Sequence, residues 1–195
     1  MNPYAHMSHP IAILIRGLPG SGKSYLAAAL AEAFGKDATV MLDPDSVDQT
    51  SQEYKDHVAA QTAEGVDPAL HLYRFSRAKA YKGIDDHKII MWNQPFTNLE
   101  VFNKMADRLK EHAGEQQTPL PILVVEITIS PEVAKQRVEQ RKQSGGHGPS
   151  ENTFSRFVND YTTFANDGYD VVTVQGDADT TANVALVLDR VKSLI

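Results

Sequence analysis

The run Gly17-Leu18-Pro19-Gly20-Ser21-Gly22-Lys23-Ser24 constrains the fold of this chain more than any other feature. Its spacing is G-x-x-x-x-G-K-[ST]. It stands between the apolar run Ile11-Ala12-Ile13-Leu14-Ile15, read as a buried strand, and residues 25–34, an alanine- and leucine-rich stretch read as a helix. A strand, a glycine-rich turn and a helix in that order build a phosphate cradle. The glycines let successive backbone N–H groups converge, and the helix start adds the positive end of its dipole. In such a cradle Lys23 lies along the β- and γ-phosphates and the Ser24 hydroxyl is a ligand of Mg²⁺. The expected nucleotide-binding set is therefore Gly17, Leu18, Pro19, Gly20, Ser21, Gly22, Lys23, Ser24 and Tyr25, with ATP as the ligand.

The rest of the chain is long enough to complete one α/β domain around that unit. Its 195 residues, 42% of them hydrophobic, support one substantial core rather than two small ones. We read residues 11–195 as a single domain and 1–10 as a flexible N-terminus, in which His6 and His9 are more readily terminal residues than metal ligands. There are no cysteines, which excludes disulfides and thiolate metal sites. No apolar run approaches the ~18 residues of a membrane span, so a cytoplasmic protein with no membrane association is expected.

The formal charge of −6 is unevenly spread. Residues 37–67 carry Asp37, Asp43, Asp45, Asp48, Glu53, Asp56, Glu64 and Asp67 against Lys55 alone. A face of that kind repels a polyanion, so nucleic acid is not the expected partner.

Four more runs with strand character follow at residues 38–42, 88–92, 122–129 and 169–174. Between them lie helical stretches at 68–82, 98–112, from Ser130 onward, at 151–164 and at 180–194, while 46–65 is polar and weakly helical. Ser130-Pro131 is a cap-and-first-turn pair. The run Ser144-Gly145-Gly146-His147-Gly148-Pro149 breaks a helix and reads as a hinge or mobile loop. Strands alternating with helices imply a parallel sheet covered on both faces, with the ligand at the carboxyl ends of the strands.

The phosphate loop, Asp43-Pro44-Asp45 after the second strand, an arginine-bearing helix and Gly146-His147-Gly148-Pro149 together resemble the small P-loop kinases of the zeta toxin and polynucleotide kinase-like group, with their AAA-type ATP-binding domain. The resemblance runs from Ile11 onward. It implies a P-loop NTPase three-layer α/β/α sandwich, a five-stranded parallel sheet in the order 2-3-1-4-5 and a lid over about 142–156. It also implies transfer of the γ-phosphate of ATP to a hydroxyl of a small molecule of nucleotide sugar, sugar or nucleoside type. On that resemblance Asp45 matches the general base. Asp43, two residues earlier, is placed to serve the Mg²⁺ shell or to hold a substrate hydroxyl, although Asp43-Pro44-Asp45-Ser46 also reads as a turn and helix cap. Arg137 and Arg141, at i and i+4, share a helix face turned toward the lid, where guanidinium groups would clamp the phosphates. The same charges would also suit a merely solvated face.

Other candidates are weaker. Arg74, Arg77, Lys79 and Lys82 form a basic helix able to meet an anionic acceptor; Trp92 and Phe96 could stack on a ring; Arg156 and His147 have no assigned part. One departure stands out. The third strand ends in Trp92-Asn93-Gln94, where many P-loop proteins place an aspartate, so a neutral amide stands where a carboxylate serves the metal. An ATP-binding switch with little or no transferase activity is therefore the alternative reading.

Overall fold

The computed structural model describes Tyr4 and residues 7–195; His6 lies outside the described residues. Five strands, β1 (Ile11–Gly17), β2 (Thr39–Leu42), β3 (Ile89–Asn93), β4 (Ile122–Thr128) and β5 (Asp170–Gln175), form one parallel sheet in the order β2-β3-β1-β4-β5. The expected α/β sandwich and strand order are those observed. Position in the sheet explains the composition of each strand. Every residue of β1 and β3 is buried, as a central parallel strand covered on both faces requires, whereas the edge strands β2 and β5 are only partly buried.

Among the described residues there are seven α-helices: α1 (Lys23–Phe34), α2 (Gln52–Ala63), α3 (His71–Asp85), α4 (Leu99–Glu115), α5 (Pro131–Gln143), α6 (Glu151–Asp160) and α7 (Thr180–Lys192). Alternation along the strands sends Ile11, Ile13 and Ile15 to one face, against Leu30 and Phe34 of α1 and Val187 and Val191 of α7. Ala12 and Leu14 face the other way, with Trp92, toward Ile84 of α3 and Phe102 and Leu109 of α4. Within the expected flexible terminus, Tyr4 is buried edge-on against the Phe34 ring. Among the described residues no helix is long and apolar enough to cross a membrane.

A third apolar cluster bears on the site. Leu18, inside the phosphate loop, is buried against Ala134 and Val138 of α5 and Phe154 of α6. The loop is thus pinned from behind by the two helices that flank the Gly145–Pro149 turn. The sixth helix ends at Asp160 rather than at Phe164 as the periodicity implies. The reason is local: the Thr162 carbonyl, the Thr163 hydroxyl and the Phe164 N–H are all taken by a buried charge pair described below, which draws the chain out of helical geometry.

Candidate active site

The cradle is built by backbone. Gly22, at φ +97°, caps α1 with no side-chain hydrogen bond, whereas α2, α4, α5, α6 and α7 are each capped by a side chain, from Ser51, Asn98, Ser130, Ser150 and Asp179. An uncapped helix start behind a glycine turn is a helix N-terminus left open to an anion. Gly20 is fixed on two counts. Its φ is +86°, and a Cβ there would lie 2.2 Å from the Ala134 carbonyl oxygen. The Lys23 ammonium bends back over the loop and donates to the Gly17 and Leu18 carbonyls, both at 3.0 Å. Burial pushes the Lys23 pKa down to about 8; Asp43 and then Asp45 pull it up, and Arg141 adds to the lowering. The loop thus holds a half-buried cation that an incoming phosphate would charge fully.

Sheet register assembles the next layer. Ile15 lies beside Asn93 and Leu42 beside Trp92, so the residue after β2, Asp43, reaches the end of β3. The Asn93 amide donates to Ser24 Oγ at 2.9 Å and to Asp43 Oδ2 at 3.0 Å, and the Ser24 hydroxyl donates to the same Oδ2 at 3.3 Å. The other oxygen, Asp43 Oδ1, accepts the Asp45 N–H at 3.1 Å, which caps the short turn Pro44–Ser46. The Asp43-Pro44-Asp45-Ser46 run is a turn, and that turn brings Asp43 to Ser24. The Asp45 side chain stays exposed.

A hydroxyl and a carboxylate at this spacing suit Mg²⁺, which takes one or two protein oxygens and completes its octahedron with water and phosphate. Asn93 fits as the group that orients both. It is 5% exposed, and its Oδ1 has no partner among the described residues. Among those residues no group of three His, Asp or Glu side chains is arranged as an all-protein metal cage.

Two cavities flank the loop. One, of about 310 Å³, lies between Gly22, Tyr25, Arg137 and the turn after β5 at Gly176 and Asp177. The other, of about 470 Å³, lies on the opposite side of Ser24, bounded by β2, the chain after it and α3. The two arginines part company. Arg137 donates to the Gly176 carbonyl at 2.8 Å and so faces the first cavity, not the lid, because that carbonyl projects from the end of β5. Arg141 keeps to the expected side: its Cγ would lie 2.7 Å from a Cβ at Gly146. Tyr25 is 73% exposed at the rim of the first cavity.

The sequence matches the AAA domain family AAA_33 over residues 13–162, a span holding the loop, the Asp43–Asn93 cluster and both arginines. The chain belongs to this AAA domain family. No curated protein matches it by sequence. Among solved structures it is similar to Kti12 of Chaetomium thermophilum in complex with ADP-AlF3, at 19% identity and TM-score 0.59, covering 93% of this chain and 97% of that one. A gluconokinase from Sinorhizobium meliloti 1021 gives 18% identity and TM-score 0.58, covering 96% and 95%. Deoxyadenosine kinase from M. mycoides gives 14% and 0.54, covering 93% and 99%. At these identities the likeness is one of fold, that of P-loop kinases.

Several residues of this family member have other parts than sequence suggests. Trp92 is fully buried beside Tyr73, with its indole N–H donating to Gln94 Oε1, and is core rather than a stacking platform. Of the basic helix, Lys79 alone lines the larger cavity, and it is paired with Glu53 at 3.0 Å. Arg74 donates to Gln61, and the Arg77 guanidinium lies by the Tyr73 and Tyr81 rings. His147 and Arg156 are exposed.

The fully buried Arg16 has no counterpart in the expectations. It faces Glu126 across the β1–β4 register at 2.5 Å, donates to the Phe96 carbonyl through Nε and Nη2 at 3.2 and 2.9 Å, and donates to the Thr162 carbonyl at 2.7 Å. The Tyr161 and Phe164 rings cover its guanidinium, with centroids at 4.3 and 3.5 Å. Phe96 holds φ +47°, uncommon for a non-glycine residue, and Arg16 takes its carbonyl twice. A charge inside the otherwise apolar run Ile122–Thr128 was the available signal, since a carboxylate in a buried strand needs a partner.

Proposed function

We propose that the chain is an ATP- and Mg²⁺-dependent phosphotransferase that phosphorylates a hydroxyl of a small molecule. The observation that carries this reading is the Ser24–Asp43–Asn93 cluster, which sits between an open phosphate cradle and a cavity large enough for a small acceptor. Bound ATP would supply the phosphoryl group, and Mg²⁺ would screen its charge. Lys23 would then lie along the β- and γ-phosphates, with Ser24 and Asp43 holding the metal. Tyr25 and Arg137 would border the base, and Arg141, above the loop, would meet the phosphates as the lid over about 142–156 closes. Asp45, exposed beside this cluster and near enough to raise the Lys23 pKa, would accept the proton of the attacking hydroxyl.

The alternative, an ATP-binding switch with little transfer, rests on Asn93, the neutral amide at the end of β3. Single-turnover transfer from γ-labelled ATP separates the two readings, with slow hydrolysis to water as the readout until an acceptor is found. Asp45→Asn should leave ATP affinity nearly intact and lower the rate by ~10²-fold, the loss typical of a positioned general base. Asp43→Asn should instead raise the Mg²⁺ concentration required. Full activity in Asp45→Asn with loss in Asp43→Asn would reverse the two roles. ATP binding with neither substitution affecting turnover would favour the switch.

A further inference from the structure

The larger cavity differs from the phosphate cradle in the sign of its charge. Its floor is apolar, from Met41, Val47, Phe75 and Met91. Its charged groups are Asp43, Asp48 and Glu53 against the single ammonium of Lys79, which Glu53 already holds at 3.0 Å while it lies over the Phe75 ring at 4.7 Å. No arginine lines it. The exposed Asp48 favours its charged form: the Thr50 hydroxyl and N–H both donate to its Oδ1, at 2.6 and 2.9 Å, and these bonds, with a smaller contribution from Lys55, hold its carboxyl below the usual range. The inner wall holds a polar atom in search of a partner, because Asn93 lines this cavity while its buried Oδ1 goes unbonded among the described residues.

Resting on the phosphotransferase reading above, we propose that this cavity selects an uncharged or amine-bearing hydroxy compound with an apolar body, of nucleoside or amino-alcohol type, and excludes phosphorylated and carboxylated acceptors. The physical reason is the excess of carboxylates. When Mg²⁺ neutralises Asp43, the lining still carries Asp48 and Glu53 against the single ammonium of Lys79, which Glu53 holds, while Lys55 acts on Asp48 from outside the lining. An acceptor carrying a phosphate would meet no free cation and at least one fixed negative charge. Nucleotide sugars, one of the acceptor types that the sequence resemblance implies, are thereby disfavoured. The Ser46 hydroxyl in the lining suits a neutral, hydrogen-bonding ligand.

The chain has no cysteine, so one introduced thiol is the only one present. Ser46→Cys places it in the cavity at nearly unchanged size; Met41→Cys is a second site on the floor should the first disturb the fold. We compare modification rates with methanethiosulfonates bearing a trimethylammonium group, a sulfonate or no charge, in the absence of ATP. The ratio of cationic to anionic rate is referred to Leu186→Cys, exposed on α7. The expected ratio at Ser46→Cys exceeds the reference by about tenfold or more, within the range by which charged clefts concentrate ions. Adding Asp48→Asn and Glu53→Gln should return it to the reference. A ratio at or below the reference in the parent background overturns the proposal, as does a raised ratio that the double substitution leaves unmoved. Because no nucleotide is present, a failure here is separate from a failure of phosphoryl transfer. A matched pair that keeps the same free hydroxyls adds a functional arm: glycerate stimulating ATP turnover more than 3-aminopropane-1,2-diol contradicts the proposal, and the reverse supports it.

Discussion

The two cavities beside the phosphate loop are built by different means. On the Gly22–Gly176 side the walls include backbone features, a helix start, a glycine turn and a carbonyl that Arg137 binds, beside the side chains of Tyr25, Leu26 and Ile127. On the Asp43–Lys79 side they are side chains borne by an edge strand, a short turn and two helices, of which α2 buries no residue of its own. Backbone-built sites are set by glycine positions and change little with composition. Side-chain-built sites can be recast by a few substitutions, which under the proposed function would suit a ligand shared across P-loop proteins on the first side and a particular acceptor on the other.

The Arg16–Glu126 pair lines neither cavity; it ties the chain after β3 to the chain after α6. From the end of β1, one residue before the phosphate loop, Arg16 holds the Phe96 carbonyl in the chain after β3 and the Thr162 carbonyl in the chain after α6. Glu126→Gln keeps the shape but leaves the guanidinium buried and unpaired. The expected loss of stability is about 3–5 kcal/mol by urea titration, the largest effect anticipated for a single substitution in this chain. Hydrogen exchange should quicken over residues 94–98 and 161–165 more than over 17–24. Equal quickening in the loop would mean that the two sides are not mechanically distinct.

Legibility followed the same division. The cradle was readable because G-x-x-x-x-G-K-S fixes backbone geometry, and the strand order followed from the resemblance it anchored. Asp43 and Asp45 were readable as candidates because they end a strand next to that loop. The bond network that joins Asp43 to Ser24 through Asn93 was not, since it depends on the register of β2 and β3, which sequence spacing does not specify. Arg137 misled for a similar reason: helical spacing gives the face of a side chain but not the carbonyl that captures it. Arg16 and Glu126 were hidden because each looks like a lone polar residue in an apolar run until β1 and β4 are set side by side.

A smaller effect sharpens the comparison by isolating the cradle. Lys23 in the folded chain has a pKa near 8, below its unfolded value of about 10.4. Between those values the unfolded chain binds more protons than the folded one, so stability should rise as pH goes from about 8 to 10. Phosphate at the loop should restore the lysine's proton. Calorimetric titration of ATP near pH 8.5 in two buffers of different ionisation enthalpy should therefore report uptake of roughly half a proton or more. The uptake should vanish in Lys23→Ala and persist in Asp48→Asn. Its persistence in Lys23→Ala would assign the proton to another group.

The most direct test of the central claim, that the loop of residues 17–24 binds the phosphates of ATP, is calorimetric titration of ATP with Mg²⁺ into the parent chain and into Lys23→Ala. The account predicts saturable binding by the parent and an affinity lower by on the order of a hundredfold in the variant, as for truncation of a buried charged partner. Equal affinity in the two proteins, or no binding by the parent at millimolar ATP, would contradict it.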